Sequence, residues 1–431
     1  ASSWTNDINN VPTCSDTGTS YQTNEYYGMS TSNGLSRVCA STAYANGATG
    51  GDNIKIAVID TGFSLTSGGN NVHLEFGSYN QSLPNGKVVL VTGSDAAKQG
   101  STVNDNDDIP EDDDGHGTHV AGIIGAQKTG YNMHGVAYDA ILYPLRMMHP
   151  YATRYNASAW AFYRALINDV DIANMSWGRS NYLGVGSSSC NSYTSCKSTL
   201  DNVDQSYTYM SYMATGVGSY DGNIISVWAA GNDGESNPGI YSGSCIYDSN
   251  MRDLCVIVAN IGTDGKIYSD SNRCGVAAAY CISAPGTNIQ SPIKGGSESY
   301  SVLTGTSMAA PMVSGGLALI KQKHTSLTNQ QVVARLFATA VDHDVYSQSS
   351  IYGHGLMDLV AATAAIGTLQ SFSSPISNLD SSYASYSELN QNSYYSSRAF
   401  NASLNLALKD KTIEVYDSFD RANFSVYLDG F

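Results

Sequence analysis

The chain has 431 residues, 42% of them hydrophobic and only 13% charged, so it can bury a sizeable core beneath a largely neutral polar surface. Its formal net charge of −16 argues against nucleic acid or an anionic membrane surface as partner. No run approaches the roughly 18 apolar residues of a membrane-crossing helix, and Ala1-Ser2-Ser3-Trp4 lacks a basic segment followed by an apolar one, as expected if any signal peptide is already gone.

Residues 1–50 are rich in Ser, Thr, Asn and Gly and read as an irregular lead-in. Short apolar runs follow at 54–59, 88–91, 141–144, 172–176, 224–230 and 256–261, in the pattern of buried parallel strands. Helix-like stretches at 118–127, 158–168 and 200–215 lie between them. This alternation predicts βαβ units, hence a three-layer α/β domain over residues 51–367 on a doubly wound, mostly parallel sheet. Asp60 and Asn232 follow strand-like runs at their carboxyl ends, where such sheets bind ligands. Residues 308–323 are apolar nearly all round and predict a central buried helix, with Pro311 in its first turn. Residues 328–341 predict an amphipathic helix. The remainder, 368–431, begins as a Ser/Tyr/Asn-rich linker. Period-two alternation at 404–408 and 413–416, with a run at 424–428, predicts a small β unit at the end.

Eight cysteines admit on the order of a hundred pairings. Cys190/Cys196, Cys245/Cys255 and Cys274/Cys281 are close in sequence, which leaves Cys14 and Cys39, and pairing of neighbours is the expectation. None forms Cys-x-x-Cys and no histidine cluster completes a zinc set, so disulfides and an oxidising compartment are expected.

Three segments carry chemistry. Gly305-Thr306-Ser307-Met308-Ala309-Ala310-Pro311 puts a serine at the mouth of a buried helix, whose free N–H groups and dipole favour a developing anion. Asp60-Thr61-Gly62 supplies a carboxylate, and Gly115-His116-Gly117-Thr118-His119 an imidazole between two glycines. The order Asp…His…Ser is one of the known orders of a catalytic triad. Each piece has a plainer reading. Asp-Thr-Gly also marks aspartic proteases, and Asp16-Thr17-Gly18 is a second copy, but it sits in a polar stretch with no strand before it. His116 and His119, three apart, suit a metal, but no third ligand shows a recognisable spacing, and His119 reads as a packed core histidine.

Together these motifs resemble those of the subtilases, the subtilisin-like serine proteases, over roughly residues 35–366. The resemblance implies the subtilisin-like fold and a serine endopeptidase needing no cofactor for catalysis. It makes Ser307 the nucleophile, His116 the base and Asp60 its orienting carboxylate. Ala229-Ala230-Gly231-Asn232-Asp233-Gly234 resembles the segment that gives Asn232 to the oxyanion hole, with Ala229, Ala230 and Gly231 against the substrate. Ser176-Trp177-Gly178 resembles the strand that pairs with a peptide substrate. Met133-His134-Gly135-Val136-Ala137, residues 268–277, Ala284-Pro285-Gly286, Tyr352-Gly353-His354-Gly355 and residues 415–421 are similar to the protease passengers of bacterial autotransporters. That branch implies a secreted or cell-surface enzyme with cysteines at the places of Cys274 and Cys281. The membrane barrel of such proteins requires at least about eight strands, which this sequence does not contain, and an obvious folding pro-domain is also missing. The expected partners are polypeptides met by a monomer.

The acidic run Asp105, Asp107, Asp108, Glu111, Asp112, Asp113 and Asp114 precedes His116. Its readings are a solvated loop, a calcium site, attraction of basic substrate side chains, or a pull on the histidine's pKa. Residues 182–220 read as a cleft-lining insertion or a stapled loop. Two alternatives to a general secreted peptidase stand beside these readings: a dedicated processing protease for a surface protein, and an adhesive protein on a dead protease scaffold. The second loses force because Asp60, His116, Ser307 and Asn232 are all present.

Overall fold

A computed structural model describes residues 9–29, 34–66, 68–78, 87–96, 109–148, 156–178 and 184–366, with short stretches at 370–371, 412–417 and 423–427. Its centre is a six-stranded parallel sheet in the order β2-β1-β3-β4-β5-β6. The strands are β1 (Lys55–Asp60), β2 (Ile141–Arg146), β3 (Ile172–Met175), β4 (Ile225–Ala229), β5 (Cys255–Ile261) and β6 (Cys281–Pro285). The first five read as nearly continuous apolar runs because both sheet faces are covered. Ile56 and Val58 enter one core with Val120, Ile124, Val313 and Leu317. Ala57 and Ile59, pointing the other way, enter a second core with Phe162, Leu166, Met210 and Trp228. The expected three-layer α/β fold is thereby formed.

Several elements differ from expectation. Residues 88–91 form no regular strand; Val88 makes a lone bridge to Leu142. β6 was missed, as was the antiparallel pair β7 (Ile289–Pro292) and β8 (Tyr300–Leu303). The stretch 200–215 is two helices, Tyr193–Asp204 and Ser206–Thr215, broken where Gln205 takes a left-handed φ of 60°. The lead-in is not irregular in its described part. It carries short helices at Asn24–Gly28, Gly34–Arg37 and Ala40–Ala45 and sends Tyr26, Met29, Leu35, Val38 and Tyr44 into the first core.

In the tail, β9 (Gln370–Ser371), β10 (Thr412–Tyr416) and β11 (Asn423–Tyr427) form a small antiparallel sheet; the expected strand at 404–408 lies outside the described residues. Asp417 leads from this sheet into the domain, where it meets Arg335 of helix Asn329–Ala338 at 2.9 Å with both side chains fully buried. Disulfides join Cys14–Cys39, Cys190–Cys196, Cys245–Cys255 and Cys274–Cys281.

Candidate active site

The strand order reverses beside β1, and the carboxyl ends of β1 and β3 open into the crevice where ligands bind in such sheets. Asp60 ends β1 and is fully buried. Ser176 and Trp177 follow β3. Helix His116–Gly125 and the long helix Thr306–Lys323 both point their N-termini at this crevice and pack on one another.

Capping explains why His116 is held there. The first N–H groups of its helix have no helical acceptor, and three side chains supply one. His116 N–H donates to Asp114 Oδ1 at 3.2 Å, Gly117 N–H to Thr61 Oγ1 at 2.8 Å, and Thr118 N–H to Asp112 Oδ2 at 2.8 Å. Thr61 Oγ1 in turn donates to Asp112 Oδ1 at 2.9 Å. The close approach needs glycine, since a Cβ on Gly117 would lie 2.3 Å from the Gly62 carbonyl oxygen.

So placed, His116 Nδ1 lies 2.7 Å from Asp60 Oδ1. Burial of the ring pulls its pKa down. The charge of Asp60 and its hydrogen bond, with Asp112 and Asp114 behind them, outweigh that and hold it above the ordinary histidine value. Four other histidines behave oppositely: His73, His119, His134 and His324 are pushed to about 4 by burial. His119 is a core residue whose Nε2 donates to Ser301 O at 3.0 Å.

Ser307 stands in the first turn of its helix, where its N–H has no helical acceptor. Its hydroxyl donates to Ser176 O at 2.9 Å, and Ser176 Oγ donates back to Ser307 O at 2.9 Å. Asn232 faces it. The Asn232 Oδ1 accepts from Thr306 N–H at 2.9 Å and from the Thr306 hydroxyl at 3.0 Å, which commits the oxygen and leaves the NH2 group to donate. Asn272 supports the loop behind: its Oδ1 accepts from Asp233 and Glu235 N–H, and its Nδ2 donates to Ala230 O.

Trp177 Nε1 donates to Ile59 O at 2.8 Å, tying the segment after β3 to the strand of Asp60. Beside Ser307 lies a cavity of about 230 Å³, lined by Trp177, Gly178, Ala229, Ala230, Gly231 and Asn232 among others. The Asp60–His116 pair is linked through Trp177 to the segment that holds Ser307, and Trp177, Gly178, Ala229, Ala230, Gly231, Asn232 and Ser307 line one cavity. Three positioning residues had no role assigned from sequence, Thr61, Asn272 and Thr306, and Asp112 was read only as part of the acidic run. Only a side chain's spatial partner reveals such a role.

In the described part of the acidic run, Asp112 and Asp113 are engaged by groups of the protein. Asp112 Oδ1 accepts from Thr61, Asp114 N and Gly115 N, and its Oδ2 from Thr118 twice. Asp113 pairs with the buried Arg146. No group of three or more His, Cys, Asp and Glu is placed to hold a metal among the described residues. Asp105, Asp107 and Asp108 lie outside them. Asp16 is likewise no catalytic acid: it fastens the N-terminal segment by accepting from Tyr26, Ser41 and Thr42.

Residues 51–355 match the Subtilase family, Peptidase_S8. Subtilisin E of Bacillus subtilis (strain 168) is 29% identical over 344 residues, covering 78% of this chain and 72% of the relative. Subtilisin Savinase of Lederbergia lenta is 30% identical over 333 residues, covering 77% and 97%. In structure, the prenylagaramide maturation protease PagA aligns with a TM-score of 0.52 at 20% identity, over 75% of this chain and 96% of that one, a likeness of fold. No described helix is long and apolar enough to cross a membrane. On the family match and these relatives, the chain belongs to the subtilase family and is a serine endopeptidase.

Proposed function

We propose that this chain is an exported endopeptidase that cleaves polypeptides through an acyl-enzyme formed on Ser307. What supports the reading is the Asp60–His116 pair at the end of β1 and the Ser307 and Asn232 side chains at the N-terminus of the long helix, linked through Ser176 and Trp177. A peptide enters along Ser176–Gly178. The Ser307 hydroxyl turns from Ser176 O toward the imidazole, His116 takes its proton, and Oγ attacks the carbonyl carbon. His116 Nδ1–H keeps donating to Asp60, which stabilises the imidazolium. The oxyanion is met by the Asn232 amide and the Ser307 N–H. His116 then gives the proton to the leaving amine, and water releases the acyl group by the reverse sequence. Four disulfides support an oxidising compartment. Attachment to a cell surface rests only on the segments similar to autotransporter passengers.

Mass-spectrometric mapping of cuts in a library of unfolded peptides tests this reading. Cuts across many sequences, abolished by a sulfonyl fluoride, support a broad peptidase. Cutting confined to one motif supports the dedicated processing enzyme, and no cutting at all contradicts both.

Two further results are expected. Asn232→Ala lowers kcat by about 10²- to 10³-fold with little change in KM, because the oxyanion appears only after attack. A raised KM at constant kcat means that Asn232 merely binds substrate. The second concerns pH. His116 must be neutral to accept the proton, so activity falls as pH drops through its raised pKa. Asp112 and Asp113 are committed to structure, which makes Asp114 the clean probe. Asp114→Asn keeps an oxygen for the His116 N–H but removes a charge, so the acid limb of kcat/KM moves to lower pH, most at low salt. A limb that stays in place shows that Asp114 is screened from the imidazole.

A further inference from the structure

The carbonyl of Ser307 is a helical acceptor without its helical donor. In an α-helix each carbonyl accepts from the N–H four residues on, and that residue here is Pro311, which has none. β3 leads to a substitute: Ser176 Oγ donates to Ser307 O at 2.9 Å. A hydroxyl rotates to suit its surroundings unless its lone pairs are also claimed. Asn174, on β3 itself, claims one, its Nδ2 donating to Ser176 Oγ at 3.0 Å. The other end of the amide is fixed as well, because Asn174 Oδ1 accepts from Ser314 Oγ at 2.8 Å. Ser314 lies about two turns beyond Ser307 on the same helix. Asn174 thus holds the long helix at two points, directly at Ser314 and through Ser176 at Ser307.

Packing alone does not call for an amide at this position. Asn174 is fully buried, and its partners in register on either side are Val58 and Val227, both in the first core. A polar group in such a row costs stability unless its donors and acceptor are used. We propose that Asn174 is a positioning residue for the nucleophile, acting through the Ser176 hydroxyl. It turns that hydroxyl toward the Ser307 carbonyl and so sets the height of the first helical turn against β3. That turn carries both groups the reaction uses, Ser307 Oγ and the Ser307 N–H, while β3 runs on into Ser176–Gly178, where the peptide lies. The Ser307 hydroxyl donates to Ser176 O at 2.9 Å, so the receiving segment and the attacking turn are fastened to each other twice. A shift of about 1 Å between such groups costs on the order of 10² in rate. The inference rests on the reading of Ser307 as the nucleophile.

The test measures kcat and KM on a chromogenic peptide anilide, the rate at which a fluorophosphonate labels Ser307, and unfolding curves. Asn174→Val removes the amide but suits a buried strand between two valines. It is expected to lower kcat and the labelling rate by about tenfold or more, with KM within about twofold of wild type. Ser314→Ala frees the amide to turn and lowers both rates severalfold. The double variant loses no more than Asn174→Val alone, because Ser314 acts only through Asn174. Ser314→Ala, which removes a single buried oxygen, decides the matter if Asn174→Val does not fold. A role in stability alone shifts the unfolding curves and leaves kcat and labelling within about twofold of wild type. That outcome, a raised KM at constant kcat, or losses that simply add in the double variant overturn the proposal and leave the nucleophile assignment intact. Failure of the wild-type chain to be labelled at Ser307 or to cleave the anilide sinks both.

Discussion

Replacing Ser307 by Ala is expected to leave a folded protein whose kcat is down on the order of 10⁶-fold. The substitution removes one oxygen from the first turn of a helix held mainly by its buried apolar residues, so the fold has little to lose. The one hydrogen bond lost runs from the Ser307 hydroxyl to Ser176 O, and the Ser176 hydroxyl keeps its bonds to Ser307 O and Asn174. The catalytic loss is large because nucleophile and base act as a unit, and removing either costs about as much as removing the whole triad. The residual rate over water comes from the Asn232 amide and substrate positioning. Unfolding curves that superimpose on wild type, together with a kcat at the limit of detection, are the expected pair of results. A variant retaining a tenth of the activity would falsify the role.

The second large effect concerns stability. Arg335 and Asp417 form an ion pair with no solvent exposure. The guanidinium is otherwise satisfied by carbonyls, through Nε to Ala362 O at 2.7 Å and Nη2 to Ala364 O, and Asp417 Oδ2 also accepts from Ile366 N–H at 2.9 Å. Taking away one partner leaves the other charge in a medium that cannot solvate it. Asp417→Ala is therefore expected to cost about 3–5 kcal/mol in chemical unfolding, whereas Arg335→Met combined with Asp417→Leu costs far less, because no lone charge remains. Among the described residues, a buried aspartate 82 positions from its partner links the small tail sheet to the domain. A loss below about 1 kcal/mol for Asp417→Ala means that the pair hydrates or rearranges in solution.

The sheet was readable because a strand buried on both faces shows as a nearly continuous apolar run, broken only by Lys55 in residues 54–59 and by Asn260 in 256–261. Where burial is partial the signal fades, as in Tyr300–Leu303, which is only partly covered, and in the fully buried β6 Ser283 and the closing Pro285 leave too short an apolar run. Residues 88–91 look like a strand because apolar content alone does not say whether a neighbour offers a full ladder. The lead-in hid its helices for the opposite reason, since its few buried apolar residues are scattered among Ser, Thr and Asn. Asp60, His116, Ser307 and Asn232 stand out in the sequence because each sits in a run of several residues whose types serve the proposed chemistry jointly. Asp112 looked like part of a charge run and is in fact a helix cap with both oxygens filled. Nothing in its neighbours along the chain distinguishes it from Asp113, which goes to Arg146. That difference arises from the fold alone.

The account's central claim is that Ser307 is the activated nucleophile, and covalent trapping tests it most directly. The full chain is treated with a fluorophosphonate, digested and mapped by mass spectrometry, with His116→Ala treated in parallel. One adduct per chain on Ser307, formed as activity is lost and slowed by orders of magnitude in His116→Ala, is the predicted result. Full inactivation with the adduct on another residue, or a labelled Ser307 in a chain that still cleaves peptides, would contradict it.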